Sequence, residues 1–154
     1  MRNEGIQMPT KIHDEMIELA VGWAKSLGYA VVECHLGTAT GADAVLENQF
    51  GEIVILEVVT GASFKGLFEK PRIKEELLRG EEYDEKPELL GLIVVGDRID
   101  HVKDHGVEVG LPAELFDPPE QTIFPVLARD FKQIIPVLLV SLLGARASAY
   151  GRLS

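Results

Sequence analysis

Glu57 stands inside an otherwise apolar run, Ile53-Val-Ile-Leu-Glu-Val-Val59. Burying a carboxylate there is costly unless it is paired or binds a metal ion. Asp43 lies upstream, just before Ala44-Val-Leu46, and Asn48-Gln-Phe-Gly51 between the two runs has the composition of a hairpin turn. Counting back from that turn brings Asp43 beside the end of the strand that carries Glu57. Two converging carboxylates suit a hard divalent cation such as Mg²⁺ or Mn²⁺, which takes oxygen ligands. A cation held there would activate a water and neutralise a phosphodiester in its transition state. Plainer readings stand beside this one: Glu57 paired with a base such as Arg72, and Asp43 as an ordinary turn aspartate.

The elements that must position these acids follow from periodicity. Alternation along Glu52–Thr60 puts Ile53, Ile55, Glu57 and Val59 on one face and Val54, Leu56 and Val58 on the other, the pattern of a central strand covered on both sides. Tyr29–Cys34 reads as a strand, Ala44–Leu46 as a second that the hairpin folds back on Glu52–Thr60, and Leu89–Val95 as another buried strand. A helix is expected over Pro9–Leu27, with Ile12, Met16, Ala20, Trp23 and Leu27 on its apolar side and Gly28 ending it. Further helices are expected over Phe68–Arg79, over Ile99–His105, from the Asp117-Pro-Pro-Glu entry, and over Phe124–Ala149, where Pro136 forces a kink or break. Val107–Val109 reads as a short parallel strand. The expected architecture is α/β: a mixed central sheet flanked by helices, with residues 1–10 a flexible tail, 11–116 the core and 117–154 a helical extension.

Helix, Gly28-Tyr-Ala-Val-Val, Gly41-Ala-Asp43, hairpin and Ile55-Leu-Glu57-Val-Val59 together resemble the PD-(D/E)XK nuclease core. The likeness runs over residues 11–97 and is nearest to archaeal Holliday-junction resolvases and RecB-like or restriction-endonuclease-like domains. It implies a divalent-metal-dependent DNA endonuclease with Asp43 and Glu57 as metal ligands. The histidine that RecB-like members carry in their first helix falls on His13, whose plainer reading is a boundary histidine. The family's lysine, two positions after the strand glutamate, falls on Val59, and Ala42 stands where proline is usual. A migrated lysine would have to supply that charge: Lys65 in the following loop is the first candidate, with Lys70 and Lys74 beyond it. Loss of the lysine also fits a degenerate nuclease-like domain persisting as a dimeric binding or scaffold protein.

Composition bounds these readings. The 154 residues suit a single domain, 46% hydrophobic and 26% charged. With 15 Lys and Arg against 25 Asp and Glu the formal charge is −10, unlike a protein that binds nucleic acid chiefly by neutralising phosphates. The basic run Lys65, Lys70, Arg72, Lys74 and Arg79 is interleaved with glutamates, as on a solvated helix face. Cys34 alone allows no internal disulfide and reads as a buried structural thiol in a reducing, cytoplasmic setting. His101 and His105 lack a third ligand for zinc. Ile134–Leu143 is about half the length of a membrane span, so no membrane partner is expected. Being apolar nearly all round, it suggests a homodimer interface through the C-terminal helices.

Overall fold

A computed structural model describes residues 2–34, 42–59, 66–77 and 89–153; for 2–11, 71–72, 75 and 144–153 it describes the backbone alone. Along the chain lie α1 (Arg2–Ser26), β1 (Ala30–Cys34), β2 (Ala44–Glu47), β3 (Ile53–Val59), a 3₁₀ turn (Leu67–Glu69) and α2 (Pro71–Leu77). They are followed by β4 (Leu89–Gly96), α3 (Val102–Glu108), β5 (Ile123–Leu127) and α4 (Phe131–Leu153), with short 3₁₀ turns before and after β5. The five strands form one sheet in sequence order, antiparallel across β1-β2-β3 and parallel across β3-β4-β5. The protein is therefore α/β with a mixed open sheet.

Each face of the sheet is covered, as the doubly apolar β3 requires. Val54, Leu56, Val58, Ile93 and Val95 pack under Ile17, Ala20 and Ala24 of α1 and Phe131, Ile135 and Leu139 of α4. Ile53, Ile55, Leu92 and Val94 pack under Phe68, Ile73 of α2, Val102 of α3, and Phe116. Tyr29 ties the first layer together by donating its hydroxyl to the Leu139 carbonyl at 3.0 Å. Gly106 lets α3 come close to the Phe116 ring, since a Cβ there would lie 2.3 Å from it.

Several expectations are corrected. Helical backbone begins at Arg2, ahead of the expected start at Pro9. Of the expected apolar side of α1, Ala20 is buried and Met16, Trp23 and Leu27 pack against the core with the flanking Ile17 and Ala24, which are fully buried; Ile12 is instead exposed and lines a groove of about 340 Å³ with Met16, Leu19 and Phe131. Val107–Val109 is not a strand, because α3 runs to Glu108 and turns at Gly110, whose φ is +104°. No helix starts at Asp117: Pro118, which would be its first helical residue, itself precedes a proline and is driven away from helical backbone, and the chain turns into β5.

Ile123–Leu127 forms an edge strand inside the expected helical extension, where Pro125 costs no ladder bond that an outer edge must supply. α4 then runs unbroken through Pro136; the missing N–H leaves the carbonyl of the exposed Lys132 to solvent. Much of the apolarity of α4 is core rather than interface, since Phe131, Ile135 and Leu139 cover the sheet. Ile134, Val137 and Val140 remain exposed. Cys34 is an exposed free thiol on the edge strand, not a buried one. Among the described residues no helix is long and apolar enough to cross a membrane.

Candidate functional site

The site grows from the β2–β3 hairpin. Asn48 closes its turn, and Gly51 takes the positive φ of 78° that the turn needs. The resulting register pairs Ala44 with Leu56, so one further step sets Asp43 opposite Glu57 at the open end of the ladder. Both acids are deeply buried, at 3% and 1% exposure. The sequence expectation that the turn would bring them together holds in the geometry.

Each acid has its own cation. His13, one turn before Ile17 on the buried stripe of α1, places Nε2 3.1 Å from Asp43 Oδ2 and Nδ1 3.0 Å from Asp14 Oδ1. Asp43 Oδ2 also accepts the Val58 N–H at 2.7 Å. Lys70 Nζ donates to both oxygens of Glu57, at 2.9 and 3.0 Å. The Asp43 charge also bears on Glu57 across the ladder.

Lys70 is held in place by its neighbours. Gly66, with a φ of 88°, opens the 3₁₀ turn that buries Leu67 and Phe68, and Ile73 of α2 is fully buried on the other side. Phe68 meets Phe116 edge-on at 6.2 Å and stacks against His105 at 6.1 Å. Lys70 precedes Pro71 and so has extended backbone, φ −61° and ψ 128°. From that fixed base its stem spans back to β3.

Proton affinities follow from this packing. Burial, the Asp43 charge and the hydrogen bond to Asp43 push Glu57 up to about 8, against the pull of Lys70. Burial also acts to raise Asp43, but its hydrogen bonds from His13, Glu57 and the Val58 N–H hold it below the usual carboxylate value. The Asp43 hydrogen bond, with help from Asp14 and against burial, raises His13 to about 9, so both ring nitrogens act as donors.

Among the expected site residues, the structure brings together Asp43, Glu57 and His13. Lys65 lies outside the described residues. Lys70 is the lysine at Glu57, a residue that spacing alone does not rank first. Val59 packs against the apolar cluster below the sheet. Asp14 is a further contributor; its only signal in the sequence is adjacency to His13 on a helix, which is too common to single it out.

A divalent cation can be tested against these residues. Two deeply buried carboxyl groups set opposite each other at the end of the β2–β3 ladder present hard oxygen donors. Among the described residues no group of three or more His, Cys, Asp or Glu is arranged as a metal site. A cation would thus draw two carboxylates from the described chain and complete its shell with water, a mode that suits Mg²⁺. No family model matches the sequence, and neither a curated protein nor a solved structure matches it significantly.

Proposed function

We infer that the chain is a divalent-metal-dependent phosphodiesterase acting on DNA, of the PD-(D/E)XK kind its sequence resembles. One observation carries this reading: Asp43 and Glu57 converge at the end of the central strand with the Lys70 ammonium on Glu57. Asp43 and Glu57 would be the protein ligands of Mg²⁺ or Mn²⁺, which when bound makes a coordinated water more acidic and neutralises phosphate charge. Val58 N–H and His13 hold one oxygen of Asp43, so the ligand is oriented before the cation arrives. Lys70 supplies the positive charge missing at Val59, where it can meet charge developing on phosphate.

The test is cleavage of linear, single-stranded and branched DNA with Mg²⁺ or Mn²⁺. Wild-type chain should cut at least one substrate, and Glu57→Ala should lower the rate by about 100-fold or more, about 2.7 kcal/mol of transition-state stabilisation.

A second reading is favoured by the pairing itself. His13 on Asp43 and Lys70 on Glu57 already compensate both acids within the chain. A degenerate nuclease-like domain, dimeric through the exposed Ile134, Val137 and Val140 of α4, would have this closed network. It would bind no divalent ion, cut no substrate, and sediment as a dimer that Val137→Glu dissociates.

A further inference from the structure

Lys70 grips Glu57 through both carboxylate oxygens, at 2.9 and 3.0 Å. The bidentate position on Glu57 that a metal ion could take is therefore the one the ammonium already holds. Glu57 is 1% exposed and anchored in the middle of the sheet, so it cannot turn away to offer another edge. The movable partner is Lys70: its side chain is 29% exposed and hangs on a flexible four-carbon stem. Asp43 differs, because its Oδ2 is held by a backbone N–H and by His13, neither of which has to leave for a second oxygen to serve.

We propose that Lys70 is a latch on the acid pair: its ammonium occupies the position on Glu57 that a divalent cation would take, and Lys70 would have to leave Glu57 for a cation to bind there. This rests on the metal-site reading above. The latch also lowers apparent cation affinity, because only the fraction of molecules with Lys70 displaced is competent to bind.

The test uses the full chain and Mn²⁺ alone, by calorimetry. Lys70→Met should bind Mn²⁺ about tenfold tighter than wild type or better, the competitor being gone. In parallel, acylation of Lys70 by an amine-reactive ester is followed by mass spectrometry, with the exposed Lys25 as internal reference. Saturating Mn²⁺ should speed labelling of Lys70 relative to Lys25. Should Lys70→Met fail to fold by circular dichroism, the labelling of wild type decides alone. Equal Mn²⁺ affinity in the two proteins, or labelling unmoved by Mn²⁺, overturns the latch and leaves the metal site standing. Absence of Mn²⁺ binding in both proteins overturns the latch and the metal site together.

Discussion

At the turn end of the β2–β3 hairpin, Asn48 and Glu52 are 5% and 3% exposed; at the open end, Asp43 and Glu57 are 3% and 1% exposed. Both ends bury polar side chains, but the hydrogen bonds they make span different distances along the chain. Asn48 Oδ1 accepts the N–H groups of Phe50 and Glu52, at 2.8 and 3.0 Å, and its Nδ2 donates to Glu52 Oε1 at 3.0 Å. Those bonds stay within the turn and make it. Asp43 and Glu57 instead draw on His13 from α1 and on Lys70 from the segment before α2. Assembling cations from separate elements orders long side chains, and buried ion pairs return little net stability for that cost. Polar contacts made within the turn fix the hairpin, whereas those at the open end depend on how α1 and the segment before α2 pack on the sheet.

Substitutions should separate the two ends. Asp43→Ala leaves the Val58 N–H and a His13 cation without their acceptor, and should cost roughly 3–5 kcal/mol in urea unfolding. Equal stability in that variant would mean that the open-end network does not form in solution. Asn48→Ala removes two acceptor bonds to the turn and should cost less, about 1–3 kcal/mol. Divalent cation should raise the stability of the Asn48→Ala protein as much as that of wild type, by about 2.7 kcal/mol at a free concentration 100 times Kd. If Mg²⁺ failed to protect this variant while protecting wild type, the two ends would not be independent.

A separate effect is expected from pH in metal-free protein. His13 is raised from 6.5 to about 9, so the folded chain keeps a proton that the unfolded chain gives up. Its contribution is therefore full below about pH 6.5 and drains away as pH rises through about 9. Glu57, raised from 4.5 to about 8, adds a loss of the same sign between those values. The lowered Asp43 acts oppositely and loses its contribution only under acid, below its ordinary 3.8. Urea midpoints should thus fall from pH 6.5 to 9, and His13→Gln should flatten the upper part of that fall. An unchanged slope in His13→Gln would place the titration elsewhere.

The difference between the two ends also governs what is legible in the sequence. β3 is legible because a run apolar on both faces and broken by a single acid fits little besides a central strand, and the turn signal at Asn48–Gly51 then carries the count back to Asp43. His13 is legible from its helical spacing to Ile17. Lys70 is only one candidate among several, because a long flexible side chain is placed by tertiary anchors. Here those are Phe68 and Ile73, buried far from the residue it serves along the chain. Ile123-Phe-Pro-Val-Leu127 misleads for another reason: a short apolar run leading into a helix has no period of its own, and only its pairing with β4 makes it a strand. On α1 the expected side is right except at its start, where Ile12 is exposed although it is as apolar as the residues that meet the sheet.

Calorimetric titration of Mn²⁺ into the full metal-free chain, beside Glu57→Gln with its fold verified, is the most direct probe of the open end. One ion should bind per wild-type chain, and binding should vanish in Glu57→Gln. No binding by wild type, or equal binding by the variant, would contradict a cation site built on Asp43 and Glu57.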